Sequence, residues 1–276
     1  MNASTDSLTT AESLPALPAA WPDRPGAFWR IWKKLLGFGL SRVELPEGLS
    51  LRVPLPKYLL QEFHNLPNGN YSHAVTDAYC TGFDRFMLGE MDSARAELAR
   101  ALGHCDEVLD VGCGAGGSTA AIKTAGAKAV VGLDASPYML VHARRRNPGL
   151  QFVQGLAEDT RLEAGRFDGI GACFLFHELP PKFADAALRE FKRLMKPGGR
   201  LVILEPAREQ MCAGPFALFR RFGWRGVWFW GLARSVNEPF IALWHQRNVP
   251  EWLQSHGFKL VEDRLLFPSR LIVAEL

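Results

Sequence analysis

No apolar run in this 276-residue chain reaches the roughly 18 residues that a bilayer-spanning helix needs. The N-terminus lacks a charged segment followed by an apolar one, so it does not read as a secretory signal. Cysteine is sparse. Cys80, Cys105, Cys113, Cys173 and Cys212 make an odd number with no C-x-x-C pair, which argues against a disulfide framework and against a thiolate metal site. A reducing cytoplasm fits that usage, and no metal is expected. Neither charge sign dominates: 32 basic against 29 acidic residues leave a net charge of +3. So mild an excess does not predict a nucleic-acid partner. Internal repeats are absent. What is present is apolar material, 47% of the chain, enough for one sizeable core with an appendage.

Residues 1–25, rich in Ser, Thr, Ala and Pro, read as a disordered tail. Over residues 26–38, Phe28, Ile31, Trp32, Leu35 and Leu36 recur at helical spacing, with Arg30, Lys33 and Lys34 off that face. A short basic helix bearing tryptophans suits an anionic membrane surface, and packing on its own domain is the competing reading. Pro46, Pro54, Pro56 and Pro67 predict loops over 41–70, and residues 71–102 read as helical. Residues 26–102 thus form an N-terminal helical extension or lid. From 103 to 276 the pattern changes. Strands at 107–111, 129–134, 151–154, within 167–176 and at 200–204 alternate with helices at 118–124, 137–146 and 183–195. That alternation predicts an α/β fold with a parallel sheet covered on both faces. A helix at 249–256 leads to strands at 258–267 and 269–274, and their tight link at Pro268 makes them an antiparallel terminal hairpin.

Gly112, Gly114 and Gly117 satisfy G-x-G-x-x-G behind the first strand, a pattern that by itself suits a nicotinamide or flavin site equally. Asp110, two residues before the first glycine, would repel an approaching pyrophosphate and suits a cationic ligand instead. Asp134, ending the second strand, can accept ribose hydroxyls in either case. A Pro197-Gly198-Gly199 turn precedes the fifth strand. Taken together, VLDVGCGAGGST, VVGLDASPYML, the Phe167-Asp168 strand start and LMKPGGRLVILE resemble the successive motifs of class I methyltransferases dependent on S-adenosylmethionine (SAM), in order and spacing over residues 105–206. The subgroup most similar is that of ubiquinone and menaquinone biosynthesis. The resemblance implies SAM as cofactor and a three-layer, Rossmann-like, seven-stranded sheet in the order 3-2-1-4-5-7-6 with strand 7 antiparallel.

By the same resemblance Gly112, Gly114 and Gly116 let the backbone approach the methionine moiety, Asp110 sits near its ammonium, and Thr119 matches a helix-start hydroxyl. Asp134, followed by Ala135, holds the ribose, and Met139 or Tyr138 packs on the adenine. Where the subgroup usually sets a polar residue against the adenine amine, this chain has Leu156. The backbone of Ala157 remains available there, and Glu158 or Asp159 can substitute. Cys173 lines the cofactor pocket. His177 follows the fourth strand, at the sheet edge where ligands bind, and is the candidate catalytic base. A capping or packing histidine is the alternative. Tyr79, in a segment that folds over the cofactor in the subgroup, is a candidate lid residue. So are Phe216 and Trp228, in an aromatic and arginine-rich insert at 207–246. Such an insert suits a cover over a greasy acceptor or a membrane interface. The expected activity is SAM-dependent methyl transfer to a lipophilic small molecule: phenolic or quinol, prenylated or lipid-like. Non-methyl SAM chemistry or NAD-linked redox on the same fold, and a membrane-associated accessory protein with a degenerate site, are the competing readings. The expected location is the cytoplasm, with peripheral attachment to the inner membrane face left open.

Overall fold

The computed structural model describes residues 16–35 and 42–276. Expectations that fall on residues 1–15 and 36–41 lie outside these. Seven strands form one sheet: β1 (Glu107–Val111), β2 (Ala129–Asp134), β3 (Gln151–Gln154), β4 (Phe167–Cys173), β5 (Met195–Pro206), β6 (Lys259–Leu266) and β7 (Ser269–Glu275). Their order is β3-β2-β1-β4-β5-β7-β6, as the motifs imply. β1 to β5 run parallel, and β7 lies antiparallel between β5 and β6, from Arg200 opposite Glu275 to Pro206 opposite Ser269. β5 begins at Met195, earlier than the sequence suggests. The Pro197-Gly198-Gly199 segment stays alongside β4 through a register shift between Phe167 and Gly169, with Gly198 at φ 74°.

Side chains alternate across the pleat, so neighbouring residues feed opposite cores. Leu109, Val111, Ile170, Leu201 and Ile203 pack with Leu188 and Phe191 of α6 (Pro181–Leu194) and Trp252 of α11 (Val249–Ser255). Val108, Val130, Val202, Leu204 and Val273 pack on the other face against Leu98 of α3 (Glu90–Ala101), Ile122 of α4 (Gly117–Thr124) and Phe229 of α9 (Trp224–Ser235). A third group joins Leu140 and Ala143 of α5 (Pro137–Arg146) to Phe152 of β3. Apolar cover on both faces is why the central strands read as continuous valine, leucine and isoleucine.

The segment before the sheet departs from the expected division. Residues 16–25 are not a tail. Ala20 and Pro22 are buried, and Tyr138 Oη donates to the Pro18 carbonyl at 2.6 Å. Asp23 accepts from the amides of His73 and Ala74 at the start of α2 (His73–Phe86), at 3.1 and 2.8 Å, which satisfies donors that the first turn leaves free. Nor is α3 part of a lid. Leu98 and Leu102 are fully buried against the sheet, so the core begins before residue 103. α1 (Phe28–Leu35) is a short helix with Phe28, Trp29 and Trp32 exposed. The insert folds as α7 (Glu209–Cys212), α8 (Pro215–Phe222), α9 and α10 (Ile241–Gln246).

Trp244 of α10 anchors this insert. Its ring stacks on Phe176 at 5.7 Å and 14°, and meets Trp252 edge-on at 5.8 Å. Truncating a buried aromatic that joins three elements leaves a cavity. Trp244→Ala is expected to lower stability by about 3–5 kcal/mol, as urea denaturation would measure. A loss within experimental error would mean that the insert is held otherwise.

Candidate functional site

The strand order reverses between β1 and β4, and there the chain leaves both strands to form a crevice at their carboxyl edge. A cavity of about 700 Å³ opens over it. Along the sheet edge its wall runs from Asp134 after β2, through Gly112 and Gly114 after β1, to residues 173–179 after β4. Two further segments complete it. One is the arm before α2, which supplies Tyr58, Phe63 and His64; the other is the insert, which supplies Gln210, Leu232, Val236 and Glu238. Arm and insert are tied together. The His64 amide donates to the Asn237 carbonyl at 3.0 Å, Asn65 Nδ2 to Ser235 at 2.8 Å, and Asn237 Nδ2 to Glu62 at 3.3 Å.

The glycine loop is shaped for close approach. Gly114 stands at φ 51°, and a Cβ there would meet no protein atom within 4 Å, so the loop presents bare backbone to the cavity. Gly116, at φ 81°, faces inward instead. A Cβ on it would come within 2.7 Å of Asn147 and 2.9 Å of the Phe152 ring. Its glycine serves packing rather than ligand contact. Asp134 braces the loop: one oxygen accepts from the Gly114 amide at 2.9 Å and the other from the Ser136 amide at 2.8 Å. Burial raises its pKa, against those two amide bonds.

Gly112, Gly114, Asp134, Ala135, Met139, Ala157, Cys173, Tyr79 and His177 all border the cavity. Of the two residues expected at the adenine, Met139 borders the cavity and Tyr138 does not. Tyr138 turns to Pro18, whereas Met139 faces the cavity with its sulfur 3.4 Å from Cys80 Sγ. Burial pushes the Cys173 thiol up to about 12, which suits a wall and not a nucleophile. Four expected contacts lie behind the wall. Asp110 is fully buried and accepts from Ser118 Oγ at 2.7 Å and Thr119 Oγ1 at 2.6 Å, so its carboxylate and the Thr119 hydroxyl serve each other. Burial raises Asp110 to about 6, opposed by those two hydroxyls. Glu158 is occupied by Tyr58, whose hydroxyl donates to both its oxygens at 2.9 and 3.1 Å. Gly116 is the fourth. The lid residues also need correction. Phe216 is 73% exposed, and Trp228 sits beside the rim, donating from Nε1 to the Phe86 carbonyl at 2.9 Å. The insert does border the cavity, but through its connecting turn and one face of α9.

His177 is where the structure adds most. The ring is buried, with Nδ1 2.6 Å from Glu205 Oε2. Glu205, fully buried at the end of β5, also accepts from the amides of Leu175 at 2.9 Å, Phe176 at 2.6 Å and His177 at 3.3 Å. His177 Nε2 points toward Glu238, 3.9 Å away. Burial opposes charge on the ring, but Glu205, Glu238 and Glu178 together outweigh it and raise His177 to about 9. At neutral pH it is therefore an imidazolium. A histidine that keeps its proton suits stabilisation of negative charge better than the general-base role expected of it. His64 is the opposite case, held near 3 by burial and by the His177 charge.

Two residues escaped the sequence reading. His64 lies in a proline-rich stretch with no motif and reaches the site only by folding of the arm. Arg95 of α3 borders the cavity and stacks over Gly117, with its Cζ 3.0 Å from where a Cβ would stand. It places a guanidinium beside the glycine loop, paired with Asp84 at 3.0 Å. Its spacing in α3 carried no signal of this.

Residues 108–199 match the family model described as a methyltransferase domain. Over 217 residues the chain is 30% identical to a demethylmenaquinone methyltransferase of Clavibacter sepedonicus, a match that covers 70% of this chain and 84% of that one. It is 38% identical over 115 residues to an uncharacterised methyltransferase of Synechocystis, covering 41% of this chain. There it spans about half of the relative's length, 54%. Among solved structures, an O-methyltransferase family protein from Burkholderia thailandensis shares the fold, with a TM-score of 0.53 at 17% identity over 73% of this chain and 59% of that one.

Arg95→Ala is expected to weaken SAM binding by about 10- to 100-fold, the worth of one hydrogen bond to a charged group, as isothermal titration would show. Unchanged affinity would place the SAM carboxylate elsewhere. The raised His177 also sets a pH dependence. Its folded-state pKa of about 9 exceeds its ordinary value, so its contribution is complete below about pH 6.5 and disappears as pH rises through 9. Glu178, raised to about 8 by burial against the opposing charge of His177, acts in the same direction. The unfolding temperature of chelator-treated protein is expected to fall between about pH 7 and about pH 9, and His177→Gln should flatten that fall.

Proposed function

The chain belongs to the class I SAM-dependent methyltransferases, and from that premise we propose that it methylates a lipophilic small molecule held between α2, the insert and residues 174–179. The observation that carries this reading is the cavity's lining on that side. Phe83, Phe86, Met87, Met91, Leu232 and Ile241 form it. Phe86 is 57% exposed and stands at the rim beside Trp228, 40% exposed. An apolar wall that continues outward into exposed aromatics suits an acceptor with a greasy body and one polar head. The Clavibacter relative is named for demethylmenaquinone methylation, which supports a ring of quinol type as that head.

Bound SAM supplies a methyl already activated by its positive sulfur. The chain's task is therefore alignment and charge placement. The residues present suit that cofactor. Gly114 offers unobstructed backbone, Gly112 lets Leu175 pack close against the loop, Asp134 keeps lone pairs for ribose hydroxyls, and Arg95 faces the loop. Met139, Leu156 and Ala157 line an apolar slot for the base. His177, fixed through Nδ1 by Glu205, presents Nε2 with positive charge on the acceptor side. An acceptor hydroxyl or enol there would give its proton to the nearby Glu238 carboxylate, and its anion, held by the imidazolium, would take the methyl as the sulfur keeps the electron pair of the C–S bond.

Approach from a bilayer is the second part of the proposal. Among the described residues no helix is long and apolar enough to cross a membrane. α1 exposes Phe28, Trp29 and Trp32, while Arg30 pairs with Glu44 and Lys34 with Glu62. Exposed aromatics with Lys33 beside them are thus what α1 offers to lipid headgroups.

Incubation with methyl-labelled SAM and a lipid extract, followed by mass spectrometry, tests the acceptor class. Label in an apolar product is expected, and label confined to water-soluble products would overturn the reading. His177→Gln should leave SAM affinity unchanged and lower turnover by about 10²- to 10³-fold, the worth of one preorganised donor. The Trp29→Ala, Trp32→Ala double variant should lose sedimentation with phosphatidylglycerol vesicles, and retained sedimentation would exclude α1 as the contact.

A further inference from the structure

We propose that His64, His177, Glu178 and Glu238 form a site for one divalent transition-metal ion, with zinc as the ion their geometry suits, on the acceptor wall of the cavity. The four side chains come from three separated segments: the arm, the turn after β4 and the insert. They converge in space. His64 Nε2 lies 3.3 Å from Glu178 Oε1 and 3.6 Å from Glu238 Oε1, and His177 Nε2 lies 3.9 Å from the same Glu238 oxygen. Donor atoms of His64, His177 and Glu178 all fall within 4.8 Å of one another. A tetrahedral ion with bonds of about 2.0–2.2 Å separates neighbouring donors by about 3.3–3.6 Å. The donors of His64, His177 and Glu178 lie near that spacing, and Glu238 adjoins them through the two histidines.

Charge points the same way. Glu205 has its lone pairs filled by three amides and His177, whereas Glu178 and Glu238 meet the imidazoles of His64 and His177, and a dication would favour the ionised form of both. Buried carboxylates are costly unless paired, and a dication balances two of them at once. For His177 the supporting contact is also in place. Glu205 holds His177 by Nδ1, which leaves Nε2 as the atom facing the other donors. A carboxylate that fixes the far nitrogen of a ligating histidine is the usual support for a metal site. Two imidazoles with two carboxylates favour zinc or another transition metal over magnesium, which prefers oxygen donors and water. An organic ammonium would be balanced by the carboxylates but gains nothing from the imidazoles.

The ion would carry the positive charge that the imidazolium otherwise places beside the acceptor, and would bind the acceptor oxygen directly. It would also staple the arm to the insert. Metal occupancy is read without methyl transfer, so its failure leaves the methyltransferase reading untouched.

The test is zinc binding by the full chain. After equilibration with zinc and removal of loose metal, elemental analysis is expected to find one equivalent per chain, and cobalt(II) in its place should give visible d–d bands without a thiolate band. Glu178→Gln and Glu238→Gln preserve side-chain volume, and SAM titration reports whether they fold. In each, zinc affinity should drop by on the order of 100-fold or more. His64→Ala should do the same. Substoichiometric zinc in the unaltered chain overturns the proposal, as does zinc binding that survives these substitutions.

Discussion

Glu205 leaves the end of β5 with its carboxylate wholly out of water. Three backbone amides and one imidazole close around it. A buried carboxylate is tolerable only with its lone pairs occupied, and removing a partner from such an arrangement costs about 3–5 kcal/mol. The turn after β4 is thereby held at one geometry, with Phe174 at φ 55° and His177 aimed outward from the sheet edge. Phe176, on the other side of the same turn, is locked between Phe191, Trp244 and Trp252. The loop that faces the acceptor is rigid for two reasons, one polar and one apolar, and both meet within three consecutive residues.

The cavity has two halves with different physics. The half over β1 and β2 is backbone: bare glycine, two amides braced by Asp134, and a guanidinium beside them. It can recognise a ligand whose shape and polar groups are constant. The half over β4 and β5 is side chain, and its outer wall comes from the arm and the insert. Three hydrogen bonds between residues 62–65 and 235–237 close those two segments over it. A constant cofactor and an acceptor specific to this chain map naturally onto that division. The charged cluster lies at the seam, where His64 of the arm, His177 and Glu178 of the turn, and Glu238 of the insert meet.

Much of the sheet was readable because its strands are covered on both faces and bounded by glycine, proline and capping residues. The Ser136 cap and the Pro137 start of α5 are visible in the sequence and appear as such. Asp134 and the loop glycines were readable for the same local reason, since their roles depend on a strand end and a tight turn. Asp110 shows the limit. Its place in the chain suggests contact with a cation, but the turn of the backbone sends its carboxylate inward to Ser118 and Thr119. Phe216 and Trp228 mislead differently. Aromatic density marks the insert correctly as unusual, yet helical phase decides which ring faces the cavity, and α8 and α9 turn those two outward. Residues 16–25 look uncommitted because alanine and proline dominate them, and they are tied down through Asp23 and Tyr138, whose partners are distant in the chain.

By itself the sequence determined the strand and helix alternation, the cofactor loop and the family. Each is written in short-range patterns: period-two or continuous apolar runs, glycines at positive φ, and an acid at a strand end. The tertiary structure alone decided the protonation of His177, the burial of Asp110, the place of Arg95 against Gly117 and the meeting of His64 with Glu178 and Glu238. The reason is physical. A pKa depends on desolvation and on charges within a few ångströms, and those neighbours here come from other segments of the chain, Glu205 and Glu238 for His177 and His177 itself for His64. Local pattern carries no record of such distances until the chain has folded.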